Sequence, residues 1–101
     1  MYTLTQSQIK VARDMLIKKQ GGVCDVCGRE LEEGTYNPPV LDHDHRTGLV
    51  RGGVHRNCNT AEGKIRKAAR WSGMDATEYI ICLGKYLEKH RKFPSKVRYP
   101  K

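Results

Sequence analysis

The most unusual run in the chain is Leu41-Asp42-His43-Asp44-His45. Consecutive acidic and imidazole side chains gain nothing on a strand, because such groups favour neither face of a small core. They suit proton transfer and cation binding instead. Histidine is the side chain best fitted to accept a proton near neutrality, and aspartate offers the hard oxygen that magnesium prefers. Further along, Asn59 and Glu62 lie three residues apart, so on a helix they share one face. The same pair also spells a helix N-cap with its capping-box partner, and that reading stays open from the sequence.

A second cluster has metal-ligand spacing. Cys24-x-x-Cys27 and His55-x-x-Cys58 are two pairs of identical internal spacing with a hairpin-sized insert between them. Zinc takes four tetrahedral S or N ligands, and a two-residue gap lets one tight turn offer two of them. The pattern predicts a closed structural Cys3His site; the alternative is that one or both pairs are accidental. Zinc joining Cys58 to the Cys24 knuckle would fix where the following helix begins and aim Asn59 toward the segment carrying Asp42 and His43. Cys82 is left over, at helical spacing among Tyr79, Leu83 and Tyr86, where a small buried hydrophobe is expected.

The elements that must position these groups can be read in outline. Thr5 to Lys19 predicts a helix: Thr5 and Gln8 have capping-box spacing, and Ile9, Ala12, Met15 and Leu16 recur at helical steps before Gly21-Gly22 ends it. Lys10, Arg13, Lys18 and Lys19 mark its polar side, either a solvated face or a phosphate-contacting one. Residues 22–54 hold the cysteine knuckle, a polar loop from Glu30 to Pro39, and a hairpin turning at Thr47-Gly48. On a regular strand Asp42 and His43 point to opposite faces while His43 and His45 share one, so Asp42 and His43 meet at one ion only if the strand bends or bulges. A helix is expected over 57–70 and another over 75–90, opened by Asp75 and Glu78, with Tyr79, Leu83, Tyr86 and Leu87 on one face. Trp71 and Tyr79 are expected to pack the last helix, and Asp44 to be structural, partnering a nearby base. Residues 92–101 form a basic tail, leaving 1–91 as a single domain.

Composition narrows the setting. A chain of 101 residues with 38% apolar content has a thin core that a metal would supplement. Nineteen Lys and Arg against eleven Asp and Glu give a formal charge of +8, which suits a polyanionic partner, nucleic acid above all. No stretch approaches the roughly 20 apolar residues of a membrane span, and the N-terminus lacks the design of a secretory signal. A cytoplasmic, reducing setting is expected, which disfavours disulfides. Lys64, Arg66, Lys67 and Arg70 follow Asn59 on the same predicted helix and are expected to contact DNA backbone, with binding that weakens steeply as salt rises.

Taken together, Cys24-x-x-Cys27, Leu41-Asp42-His43-Asp44-His45, Thr47-Gly48-x-Val50-Arg51-Gly52 and Cys58-Asn59-x-x-Glu62-Gly63 resemble the phage recombination endonuclease VII family, within the HNH or His-Me finger nucleases. The resemblance covers about residues 20 to 90. It implies a small α+β fold, a zinc-stapled ββα-metal core with flanking helices. It also implies that His43 is the general base, that Asp42 and Asn59 hold Mg2+ or Mn2+ against the scissile phosphate, and that His45 and Glu62 line the same site. Arg51 would pair with backbone phosphate through its bidentate fork. Two departures are visible: the family usually has Cys where this chain has His55, and the chain stops near the end of the catalytic module. The expected substrate is DNA, duplex or branched, cut by a monomer or homodimer in the cytoplasm of a phage-infected bacterial host. The rival reading is a non-enzymatic zinc-containing nucleic-acid-binding module, which explains the charge and the cysteines but leaves Asp42, His43 and Asn59 without purpose. A protein-interaction zinc knuckle explains still less.

Overall fold

The computed structural model describes residues 2–100, and its elements run α1 (Gln6–Lys19), β1 (Pro39–His43), β2 (Val50–His55), α2 (Arg56–Ser72) and α3 (Ala76–Lys92). It is a small α+β protein with three helices and one two-stranded antiparallel sheet among the described residues. No described helix is long and apolar enough to cross a membrane. The chain forms two compact units, Met1–Glu62 and Gly63–Lys101.

In the first unit α1 starts where its cap chemistry predicts, with Gln8 Oε1 accepting from the Thr5 backbone N–H at 2.9 Å. It ends at Gly21 and Gly22, whose φ values of 77° and 79° let the Gly22 N–H fold back onto the Ile17 carbonyl at 2.9 Å. Arg13 departs from the solvated face that was one of the two expectations. Its side chain is only 16% exposed, donates to the Pro39 carbonyl at 3.3 Å and pairs with Asp14 and Glu33, so it ties α1 to the start of β1.

α1 packs on both strands. The closest approach is at Gly53, where a Cβ would sit 2.5 Å from Ile17 Cγ1, so only glycine fits under the helix. Gln20 reinforces the same point. Its side-chain amide donates to the Gly53 carbonyl at 2.8 Å and accepts from the Gly53 N–H at 2.9 Å, replacing a missing strand neighbour. A third bond reaches the Val23 carbonyl at 2.8 Å. The apolar interior here is thin, with Cys24 and Val54 almost wholly enclosed beside the part-polar Asp42 and His55.

The hairpin is not regular. Pro39, Val40 and Leu41 pair with His55, Val54 and Gly53, but the next pair is His43 with Val50. Arg51 and Gly52 therefore oppose the single residue Asp42, which is the two-against-one count of a β-bulge. The irregularity falls at the position where the sequence demanded one, although the extra residue lies in β2 rather than in the Asp42 strand. The turn is built by Asp44, whose Oδ1 accepts from the Arg46 and Thr47 amides at 2.8 and 3.1 Å. Those two amides, Thr47 first, hold the Asp44 carboxyl below its ordinary pKa. Asp44 is structural, as expected, but it caps a turn instead of partnering a base.

α2 follows β2 directly. Its first amides are satisfied from the preceding loop: Arg56 N–H donates to the Pro38 carbonyl at 2.9 Å and Asn57 N–H to Asn37 Oδ1 at 2.8 Å. In the second unit, Asp75 caps α3 through the Thr77 and Glu78 amides at 3.1 and 3.3 Å. Two expectations fail here. Cys82 is exposed instead of buried, and Trp71 is 92% exposed rather than packed. Helical spacing defines a face but supplies nothing to cover it, and α3 has no buried residue.

Candidate metal centre and adjoining site

The knuckle residues lie on a small loop closed by a bridge between Val23 and Glu30. Within it the Cys24 N–H donates to the Arg29 carbonyl at 2.8 Å and the Gly28 N–H to the Cys24 carbonyl at 2.9 Å, turning Cys24 and Cys27 the same way. His55 ends β2 and Cys58 sits on the first turn of α2. The ligand atoms of Cys24, Cys27, His55 and Cys58 all lie within 4.8 Å of one another.

The donor set fits zinc. Zn–S bonds of about 2.3 Å and a Zn–N bond of about 2.0 Å at the tetrahedral angle place S and N roughly 3.5 Å apart. His55 Nδ1 stands 3.4 Å from Cys27 Sγ and 3.9 Å from Cys58 Sγ. The ring's other nitrogen, Nε2, is 2.8 Å from the Glu30 carbonyl. A carbonyl only accepts, so the proton is on Nε2 and the lone pair of Nδ1 faces the thiols, the usual arrangement of a metal-bound histidine. The thiols also crowd one another. The Arg29 backbone amide pulls Cys27 down to about 6, whereas burial, followed by Cys24 and Cys27, pushes Cys58 up to about 11. A divalent cation relieves that conflict by neutralising the sulfurs together. The cluster can hold a structural metal such as zinc.

Beside it lies the second group of residues singled out from the sequence. Asp42 is 8% exposed. Its Oδ2 accepts from Arg51 Nε at 2.7 Å, and Arg51 Nη2 reaches Glu62 Oε1 at 3.3 Å. The bulge brings Arg51 across from Asp42, and the Asp42 hydrogen bond keeps the guanidinium firmly protonated. Strand β1 and the first turns of α2 are thus joined by a carboxylate–guanidinium–carboxylate bridge. His43 is exposed, with its ring centroid 4.8 Å from that of His45, so these two do share a face.

Asn59 is the fourth residue of α2, half-buried, one turn before Glu62. The capping-box alternative for Asn59 and Glu62 is thereby removed, because the helix begins at Arg56 and its first amides are capped by Asn37 and Pro38. Among the described residues the Asn59 amide takes no side-chain hydrogen-bond partner. Lys64, Lys67 and Arg70 are exposed and Arg66 is half-buried; Lys67, Arg70 and Trp71 line a shallow cleft on α2. Gln20, Arg29 and Asn37 support this geometry, and none was singled out from the sequence for that purpose. Asn37 caps a helix 20 positions away, and no local pattern announces such a contact.

The Recombination endonuclease VII family model matches residues 2–89, which take in the whole knuckle, the hairpin, α2 and most of α3. The match spans the metal-ligand set and the Asp42–Arg51–Glu62 bridge together, and the chain belongs to the recombination endonuclease VII family.

Proposed function

We propose that this protein is a metal-dependent DNA endonuclease of the HNH, or His-Me finger, type. It would hydrolyse phosphodiester bonds to 5′-phosphate and 3′-hydroxyl ends. The observation that carries the reading is Asn59: a half-buried amide inside a helix, without a capping role and without a protein partner among the described residues. Asparagine is a poor helix former whose usual place is a cap. A bound cation would give this amide a partner.

Asp42 and Asn59 fit a hard divalent cation, Mg2+ or Mn2+. The single hydrogen bond to Asp42 among the described residues is to Oδ2, which leaves Oδ1 with its lone pairs, and the Asn59 carbonyl supplies a neutral oxygen. When bound there, the cation would polarise the scissile phosphate and stabilise the leaving oxygen. His43 takes the proton of the attacking water. His45, with its ring against His43, limits the rotamers of that imidazole and contacts phosphate. Glu62 anchors Arg51, whose fork matches a phosphate as well as a carboxylate. Lys64, Arg66, Lys67 and Arg70 contact the DNA backbone and supply affinity without sequence preference. A zinc ion held by Cys24, Cys27, His55 and Cys58 would fix the start of α2 relative to β2, and the β1–β2–α2 order supports the ββα-metal reading.

Supercoiled plasmid tests the reading. Purified, zinc-loaded protein with Mg2+ should convert it to nicked circles, and chelation of Mg2+ or His43→Ala should stop the conversion. Nicking that survives His43→Ala would refute the assignment of the base. Tight DNA binding with no cleavage under any divalent cation would leave the non-enzymatic zinc module in its place.

A further inference from the structure

Arg51 sits between two carboxylates, Asp42 and Glu62. A guanidinium bonded to Asp42 through Nε at 2.7 Å occupies a lone pair on the carboxylate assigned to the cation. It also places a positive charge beside any metal ion arriving there, which opposes binding electrostatically. The contact is built in rather than incidental, because the bulge that sets Arg51 and Gly52 against Asp42 brings the guanidinium inward.

The bridge is also able to open. The Arg51 side chain is 39% exposed, against 11% for Asp42 and 23% for Glu62. Water therefore reaches the guanidinium more readily than either acid. Among the described residues its Nη1 takes no hydrogen-bond acceptor. A planar guanidinium pairs with phosphate oxygens by the same two-bond geometry that it uses for carboxylates.

We propose that Arg51 guards the cation site: it holds Asp42 and Glu62 in the free protein and transfers to a DNA phosphate when substrate binds, so that DNA and the divalent cation bind cooperatively. This rests on the assignment of Asp42 as cation ligand made above. Arg51 is then a positioning residue that suppresses metal binding in the absence of substrate. Linkage makes the coupling reciprocal: the cation tightens DNA binding by the factor by which DNA tightens cation binding.

The test is a Mn2+ titration of the zinc-loaded full chain, read by the electron paramagnetic resonance signal of free Mn2+. It is carried out without DNA and then with a short duplex in the His43→Ala background, which prevents turnover. Without DNA, Arg51→Gln should bind Mn2+ tighter than the native chain by roughly tenfold or more. Arg51→Lys, which keeps the charge, should stay near the native affinity. Adding duplex should tighten Mn2+ binding in the native-Arg51 protein, with the gain smaller in Arg51→Gln. Equal or weaker Mn2+ binding by Arg51→Gln without DNA overturns the proposal, as does a gain from DNA that Arg51→Gln leaves intact. Asp42→Asn separates the two failures. If it abolishes the Mn2+ site while Arg51→Gln changes nothing, the guard alone is wrong. If Asp42→Asn binds Mn2+ like the native chain, the cation assignment is wrong and the guard falls with it.

Discussion

Gln20→Ala removes one side chain and unties the bulge from the helix behind it. Three hydrogen bonds go: Nε2 to the Val23 carbonyl at 2.8 Å, Nε2 to the Gly53 carbonyl at 2.8 Å, and Gly53 N–H to Oε1 at 2.9 Å. The Gly53 carbonyl keeps a second donor, the Asp25 N–H at 3.1 Å. The Gly53 N–H keeps none among the described residues, and Gly53 is buried. An orphaned buried donor costs about 1–3 kcal/mol, and the two lost carbonyl bonds add about 1 kcal/mol between them. The expected destabilisation is therefore about 2–4 kcal/mol, a large share of the roughly 5–15 kcal/mol that holds a small domain together. Urea unfolding followed by circular dichroism, with zinc saturating, reads it directly. The midpoint should fall by about 1–2 M at an unchanged slope. Gln20→Glu sharpens the test, because it keeps the acceptor for Gly53 N–H but turns an oxygen toward two carbonyls. It should be at least as destabilising as alanine. A loss under about 0.5 kcal/mol for Gln20→Ala, or native stability for Gln20→Glu, would show that the amide clamp does not hold the bulge.

Gly53→Ala places a methyl 2.5 Å from Ile17 Cγ1 and should cost about 1–3 kcal/mol by overpacking. Ile17→Ala in the same chain should recover part of that loss, which a double-mutant cycle in urea measures. His55→Ala should weaken zinc binding by more than the roughly 10–100-fold typical of losing an outer partner, as read by competition with a chromophoric chelator. Co2+ substitution of the native chain should give the thiolate charge-transfer bands of a tetrahedral site. Asp44 is held charged by the Thr47 and Arg46 amides, so its contribution to stability is present above the ordinary carboxyl pKa and is lost as pH falls through its lowered folded value. Asp44→Asn should flatten the acid limb of the stability profile, and an NMR titration of the native carboxyl should show its midpoint below 3.8.

Local rules made much of this molecule legible. Thr5-x-x-Gln8 and Gly21-Gly22 bracket α1 because caps and left-handed glycines act within a few residues. The paired two-residue gaps of Cys24/Cys27 and His55/Cys58 anticipated the metal-ligand cluster because zinc geometry dictates them. The conflict between alternation and the Asp42-His43 run anticipated an irregular strand, and the register confirms one there. The strand that carries the extra residue was hidden, because it depends on Gly52 and Gly53 yielding under α1 and Asp25: a Cβ on Gly52 would meet Asp25 Oδ2 at 2.8 Å. The Asp42–Arg51–Glu62 bridge and the Asn37 cap were hidden for the same reason, being contacts between residues distant in sequence. Cys82 and Trp71 misled in the opposite direction. A helical stripe predicts burial only when something lies against it, and sequence spacing carries no information about that.

The proposed nuclease activity requires one hard cation held between strand β1 and the first turns of α2. The most direct measurement is paramagnetic broadening in the NMR spectrum of the zinc-loaded, 15N-labelled chain as Mn2+ is added below stoichiometry. The Asn59 side-chain amide and the His43 ring should broaden first, and Asp42→Asn should leave both sharp. Broadening centred on another acidic cluster, such as Glu32 and Glu33, with the Asn59 amide unaffected, would contradict the account.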